Sequence, residues 1–135
     1  MTGMTMHGRG ARGAAAYYET HVTSRSPLEL VVLLYDGATR YLGHAADAIR
    51  HGDLVAKRDG MSRGVAIVNE LHNTLDMEAG GEVAHRLDEL YAYILGRLVE
   101  ANLTNDAGRV DEAVRLLGIL REGWAEIVSR SSAAA

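Results

Sequence analysis

Apolar residues recur at three- and four-residue steps along most of the chain, the spacing that places side chains on one face of an α-helix. The first such stretch begins at Ser26-Pro27-Leu28-Glu29, where Ser26 can cap the helix and Glu29 can complete a capping box. The stretch closes at His51-Gly52, because glycine readily adopts the left-handed conformation that follows a helix. The pattern therefore predicts a first helix between these boundaries.

Three further helices are predicted at short intervals. Asp53 can cap the second helix, which ends at the double-glycine break of residues 76–81. The third runs from about Glu82 to Leu103, and the fourth from a cap at Asp106 to about Ser129. Because short connections make neighbouring helices antiparallel, the expected fold is all-α, an antiparallel up-and-down four-helix bundle.

The segments that flank these helices have a different composition. We expect a short helical or extended segment with Tyr17, Tyr18 and Val22 to pack on the bundle. Residues 1–15 are rich in Gly, Ala, Thr and Met without periodicity, a composition that does not offset the entropy of ordering a backbone. The predicted organisation is a disordered tail at residues 1–15, a bundle domain at residues 16–129 and a frayed C-terminus at residues 130–135.

Composition narrows the class of protein. A chain of 135 residues has room for one domain. It contains no Cys, which excludes disulfides and thiol chemistry, and its net charge of −4 offers no basic surface for nucleic acid. No apolar run approaches the length of a signal peptide core or a membrane span. We therefore expect a cytoplasmic protein that neither binds nucleic acid nor inserts into membranes.

The third helix carries more apolar surface than a bundle core requires. Leu95, Val99 and Leu103 lie beside its main stripe and widen the apolar arc to roughly 200°, where a core-facing helix needs about 100°. The surplus is covered by another part of the chain, by an oligomer mate or by a partner peptide, or else it serves an unusually thick core. The sequence leaves these alternatives open.

Candidate chemistry is sparse. Glu82-Val83-Ala84-His85 has the spacing that places two metal ligands on one helical face, but a di-iron bundle needs a second copy and two further inward Glu residues. No second copy is present, so an exposed helix face is the simpler interpretation. His72, near the apolar side of the second helix, is expected to be a partly buried and satisfied histidine. We predict no metal, no cofactor and no enzymatic activity.

Several short motifs occur together in one order along the chain, over about residues 16–128. This ordered set resembles the flagellin-specific export chaperones of bacterial flagella, the FliS type. The matching motifs are Ala16-Tyr17 with Val22, Ser26-Pro27, Leu34-Tyr35-Asp36-Gly37-Ala38, Leu75-Asp76-Met77-Glu78 with Gly80-Gly81-Glu82, Leu90-Tyr91 with Tyr93, Arg97-Leu98-Val99-Glu100-Ala101-Asn102, Asn105-Asp106, and Leu120-Arg121-Glu122 with Trp124.

The resemblance implies a cytoplasmic chaperone that binds the disordered C-terminal segment of flagellin, prevents premature polymerisation and keeps flagellin competent for flagellar type III export. Its partners would be that segment and the flagellar export apparatus, and the chaperone itself a monomer or weak homodimer. Tyr17, Tyr18 and Val22 would form a displaceable lid. The expected flagellin-binding groove comprises Val68, Leu71 and Leu75 on the second helix and Tyr91, Ile94, Leu95 and Val99 on the third.

Two other interpretations remain at this stage. The wide apolar arc suits a self-associating structural bundle that does not bind flagellin. A metal-carboxylate enzyme is a third possibility, with less support. Within the second helix, Gly60 and Gly64 depart from the resemblance, and each is expected to weaken the helix by up to about 1 kcal/mol relative to Ala.

Overall fold

The computed structural model describes the backbone of residues 26–134 and the side chains of residues 26–131. Four helices make up this part of the chain, which confirms the predicted all-α four-helix bundle. The expected tail, at residues 1–15, and the expected lid residues Tyr17, Tyr18 and Val22 lie outside the described residues. The helices are α1 (Pro27–His51), α2 (Leu54–Asn73), α3 (Met77–Thr104) and α4 (Ala107–Ala134).

The predicted boundaries of α1 are confirmed. The Ser26 hydroxyl accepts from the Glu29 backbone N–H at 3.2 Å, and the Glu29 carboxylate accepts from the Ser26 backbone N–H at 2.8 Å. Two N–H groups that lack partners inside the helix are thereby satisfied. At the other end, Gly52 has φ of 72°, the left-handed C-cap that favours glycine. Asp53 then caps α2 by accepting from the Ala56 N–H at 3.0 Å.

The boundary between the second and third helices differs from the prediction. The second helix ends at Asn73, so Leu75 lies in the connecting turn rather than on a helix. Asp76 accepts from the Ala79 N–H at 2.9 Å, and this cap starts α3 at Met77 instead of Glu82. The glycine break appears inside α3, because Gly81 has φ of 55° and ψ of −131° and separates a first turn from the rest of the helix.

The last helix is longer than predicted. Asp106 accepts from the Arg109 N–H at 3.3 Å, as expected for the residue that caps α4. The helix continues past Ser129 to Ala134. Residues 130–134 contain no Gly or Pro, and alanine, the strongest helix former, follows two serines there, so no local signal ends the helix at Ser129.

The first helix is the centre of the packing. It lies closely along α2 and α4, whereas α3 closes the bundle through looser contacts with the same two helices. Leu42, Ile67, Ile94 and Leu117, one residue from each helix, are fully buried in a common core. Small residues allow the close approach at α1, where Ala38, Ala45 and Ala46 are buried.

Gly60 and Gly64 explain why α2 lies so close to α1. A Cβ at Gly60 would lie 2.8 Å from the backbone oxygen of Tyr41, and one at Gly64 would lie 2.5 Å from a methyl group of the fully buried Leu42. Both distances are shorter than van der Waals contact. The two glycines, which the sequence analysis expects to weaken the helix, therefore permit the close contact between the two helices.

We expect Gly60→Ala to destabilise the protein by about 1–3 kcal/mol, because the new methyl group would collide with backbone that cannot move aside. Gly118→Ala in α4 is the matched control, since a Cβ there meets nothing within 4 Å. It should stabilise the protein by about 0.5–1 kcal/mol through helix propensity alone. Urea unfolding followed by circular dichroism measures both, and stabilisation by both substitutions would contradict the packing argument.

Candidate functional site

A groove of about 840 Å³ lies between α2 and α3, on the side where these two helices separate. It is open to solvent along its length and has both apolar and polar walls. Its lining residues are Arg58, Met61, Ser62, Val65, Ala66, Asn69, Glu70 and Asn73 from α2 and Leu95, Leu98, Val99 and Asn102 from α3.

The α3 wall of the groove is mainly apolar, and Met61, Val65 and Ala66 add apolar surface from α2. Leu98 is buried at its base, Leu95 is half-buried, and Val99 is 59% exposed at the rim. Farther along α3, Leu103 is 78% exposed. The wide arc predicted for this helix is therefore surplus surface outside the core, because Val99 and Leu103 lack cover from the described part of the chain.

The structure separates the predicted groove residues into two groups. Val68, Leu71, Tyr91 and Ile94 are at most 4% exposed and belong to the bundle core. The remaining three are accessible to different degrees. Leu95 and Val99 line the α2–α3 groove, whereas Leu75 is partly buried beside a different cavity.

The α2 wall contains polar residues that sequence reasoning missed. Ser62, Asn69 and Asn73 recur at steps of seven and four residues and face the groove together. Steps of seven and four residues place side chains on one face of a helix. In a coiled coil, the residues at these steps are the ones that contact the partner helix. Apolar periodicity does not reveal these three residues, because their side chains are polar.

A second cavity, of about 350 Å³, lies at the end of the bundle where α1 begins. Val31 of α1, Trp124 of α4 and Tyr91 of α3 all reach it. The turn between α2 and α3 forms another wall, through Leu75 and its neighbours. Its lining is mainly apolar, and Ser26, the first described residue, precedes α1 at this same end.

Buried hydroxyl groups connect three helices beside this cavity. The Trp124 indole N–H donates to the Tyr35 hydroxyl at 3.1 Å, and the Tyr35 and Tyr91 hydroxyls are hydrogen-bonded to each other. Tyr35 is fully buried and Tyr91 is 2% exposed. Burial raises the pKa of both phenols above the ordinary value, which keeps both hydroxyls available as donors well into the alkaline range.

His72 connects the end of α2 to α3, as the partly buried and satisfied histidine that the sequence predicted. Its Nε2 lies 2.6 Å from a carboxylate oxygen of Asp88, and its ring centroid lies 5.9 Å from that of Tyr91. These contacts hold the two helices together at one end of the groove. At the other end, the Lys57 ammonium donates to the Asn102 carbonyl at 2.9 Å.

Ion pairs hold α4 against its neighbours. Tyr93 and Arg97 both donate to the Glu112 carboxylate at 2.7 Å, and these hydrogen bonds place the pKa of Glu112 below its ordinary value. On the opposite side of α4, Arg121 donates to Asp36 at 2.9 Å and Arg50 pairs with Asp111. Exposed pairs of this kind contribute little stability individually, but they orient the helices.

Side chains with metal-binding chemistry remain dispersed. Among the described residues, no three His, Cys, Asp or Glu side chains come together as a metal site. Glu82 pairs with Arg86 at 3.0 Å, and His85 Nδ1 lies 2.8 Å from the Gly81 carbonyl. Within residues 26–134, no helix is both long enough and apolar enough to cross a bilayer.

The fold and the site together define a four-helix bundle with an open groove along one interhelical seam. The family model for flagellar protein FliS matches residues 10–131, and the chain belongs to this family of flagellar export chaperones. The match begins within the predicted N-terminal tail, so the similarity extends beyond residues 16–128, where the sequence motifs lie.

Relatives from distant bacteria support the assignment. The chain is 41% identical to the flagellar secretion chaperone FliS of Salmonella typhimurium over 127 residues, which cover 90% of this chain and 94% of the relative. It is 38% identical to that of Campylobacter jejuni, over 88% of this chain and 93% of the relative. For Bacillus subtilis the identity is 30%, over 84% of each chain.

We expect Tyr35→Phe to destabilise the protein by about 1–3 kcal/mol, because it leaves the buried Tyr91 hydroxyl and the partly buried Trp124 N–H without their shared partner. Tyr93→Phe provides the control, since the Tyr93 hydroxyl bonds Glu112 at the surface. Its effect should be within about 0.5 kcal/mol. Urea unfolding at pH 7 measures the free energy of unfolding of both variants. Equal effects would show that the hydrogen bonds of Tyr35 contribute no more stability than the surface hydrogen bond of Tyr93.

Proposed function

We propose that the protein is a cytoplasmic, non-enzymatic chaperone that binds the disordered C-terminal segment of flagellin in the α2–α3 groove. Bound in this way, flagellin does not polymerise prematurely and stays competent until the flagellar type III export apparatus accepts it. The observation that carries the proposal is the open, partly apolar groove in a member of the FliS family.

The size of the groove supports a helical guest. Its α2 wall extends from Arg58 to Asn73, about 22 Å at 1.5 Å per residue, and its α3 wall from Leu95 to Asn102, about 10 Å. A guest helix can therefore contact α2 over about four turns and α3 over about two. A guest helix can place one apolar face against Leu95, Leu98 and Val99 and keep its other faces in solvent. The proposed contact surface therefore includes Leu95 and Val99 directly, with Val68, Leu71, Tyr91 and Ile94 as the core that supports it.

The energetics of such a complex suit a chaperone that must release its cargo. A disordered segment loses conformational entropy when it folds on binding, and this cost offsets part of the apolar burial. An open groove also leaves the outer face of the guest hydrated, so less area is buried than in a closed core. Binding is then specific but reversible, as transfer to the export apparatus requires.

Tyr17, Tyr18 and Val22 form a lid in this proposal. The second cavity supports it, because the cavity lies where residues 1–25 join the bundle at Ser26 and its lining is mainly apolar. Leu75 and Trp124 would contact the lid there. Flagellin that extends beyond the α2–α3 groove would displace the lid and gain the same surface.

Isothermal titration tests flagellin binding with a peptide of roughly the last forty flagellin residues, and the N-terminal flagellin segment serves as control. We expect saturable one-to-one binding of the C-terminal peptide alone. Val99→Asp should weaken it at least tenfold, because a carboxylate would lie against the apolar face of the guest. Ile119→Asp is the matched control, since Ile119 is 60% exposed and does not line the groove.

Light scattering after size exclusion distinguishes the proposed chaperone from the rival interpretation, a self-associating structural bundle that does not bind flagellin. The proposed chaperone is a monomer or weak homodimer, and Val99→Asp should leave its mass unchanged. A tight dimer that ignores flagellin and dissociates in Val99→Asp would assign the groove to self-association instead.

Removal of residues 1–25 tests the lid. We expect the truncated protein to bind more of a fluorescent dye specific for apolar surface, because the second cavity would lose its cover. The increase should disappear when the C-terminal flagellin peptide is added. Unchanged dye binding at an unchanged Tm would show that the N-terminal segment does not cover apolar surface.

A further inference from the structure

We infer that the α2–α3 groove binds its guest helix in one direction, with the C-terminus of the guest at Arg58 and its N-terminus at Glu70. The guest would then run antiparallel to α2 and parallel to α3. This inference rests on the proposed function, because it takes the guest to be a helical segment from the C-terminal part of flagellin. It is carried by the charges at the two ends of the groove.

Arg58 and Glu70 are the charged residues that line the groove. They are twelve positions apart on α2, about 18 Å along the helix axis. Both side chains are exposed, and neither forms an ion pair or a side-chain hydrogen bond with the part of the chain that the structure describes. Each therefore remains available to a guest.

Among the described residues, no carboxylate forms an ion pair with Arg58 at the positive end of the groove. Lys57, beside Arg58, donates to a backbone carbonyl rather than to a carboxylate. The nearby Asp59 is paired with Arg63 at 3.0 Å. Asp53 is turned towards the α2 backbone, where it accepts from the Ala56 N–H.

The opposite end is acidic. Glu70 is followed by Asp76 and Glu78 in the turn and at the start of α3, and Asp88 of α3 lies at the same level. His72 is the basic side chain that faces these groups, through its contact with Asp88. The dipoles of α2 and α3 are antiparallel and oppose each other, so the side chains determine the polarity of the groove.

The backbone of a guest helix interacts with this polarity whatever side chains the guest carries. Its N-terminus carries about half a positive charge and its C-terminus about half a negative charge, from backbone groups without intrahelical partners. The last carbonyl groups of the guest would accept from the Arg58 guanidinium, and a terminal carboxylate would strengthen the attraction. The reverse direction would place those carbonyls beside Glu70. We expect the two directions to differ in population by about 3- to 30-fold at low ionic strength.

Disulfide cross-linking tests the direction, and the chain suits it because it contains no Cys. Asn102→Cys places a thiol at the Arg58 end and Asn73→Cys places one at the Glu70 end, and both asparagines are exposed groove residues. The probe is a flagellin peptide of about 18 residues, which spans about 27 Å as a helix. The peptide is selected from the last forty or so residues of flagellin by two criteria. It must compete with the longer peptide for the wild-type protein, and it must bind the Val99→Asp variant more weakly.

The peptide is made in two forms, with cysteine at its C-terminus or at its N-terminus. We expect the first form to cross-link faster to Asn102→Cys and the second faster to Asn73→Cys, each by about 3-fold or more. The opposite preference, or equal rates, would overturn the inferred direction while leaving flagellin binding intact. Failure of the unmodified peptides to bind the wild-type protein in titration would overturn the proposed function itself.

A charge exchange shows whether Arg58 and Glu70 cause the preference. The double variant Arg58→Glu/Glu70→Arg, made in each cysteine background, keeps the net charge and should abolish or reverse the preference. Glu82→Arg/Arg86→Glu is the matched control, because that pair lies outside the groove with both side chains 77% exposed. An unchanged preference in the first exchange, with binding retained, would show that these charges do not determine the direction.

Discussion

The close contact between α1 and α2 is the constraint on which the rest of the structure depends. Gly60 and Gly64 bring the backbone of α2 against Tyr41 and Leu42, at distances that no side chain would allow. Since α2 is held this close to α1, it does not pack to the same depth against α3. The seam between α2 and α3 stays open, and this open seam is the groove. Two residues that weaken a helix in isolation thus set the packing beside the groove that we propose as the binding surface.

One wall of the groove is α3, and polar contacts on the far side of the bundle fix its position. The hydrogen bonds of Tyr35 with Tyr91 and Trp124 connect α3 to α1 and α4 through the core. Arg97 and Glu112 connect α3 to α4 again at the surface. With α3 held on that side, its opposite face remains free for a guest. Residues of the predicted groove that turned out to be core therefore support the site without forming its surface.

The groove combines weak and directional interactions in a way that suits a chaperone. Its apolar wall offers affinity that does not depend on the guest's exact sequence, because apolar burial is non-directional. The polar wall, with Asn69, Asn73 and Ser62, can hydrogen-bond a guest without demanding charge complementarity along its length. In our proposals Arg58 and Glu70, which form no ion pair within the described part of the chain, contribute direction. Membership in the FliS family supports our proposal that this surface serves flagellar export.

The sequence by itself determined the four helices and most of their ends, because caps such as Ser26, Asp53 and Asp106 act within a few residues of themselves. Family membership was equally accessible, through motifs spread along the chain. The end of α2 was predicted too late in the chain. Two signals lie close together there, the cap at Asp76 and the glycine pair at residues 80–81, and the prediction took the glycines as the boundary. The division of apolar residues between core and groove could not be predicted, since periodicity assigns Tyr91 and Leu95 to neighbouring positions on one helix face. Only the tertiary structure decided which of them meets another helix, because that depends on how closely α2 approaches α1.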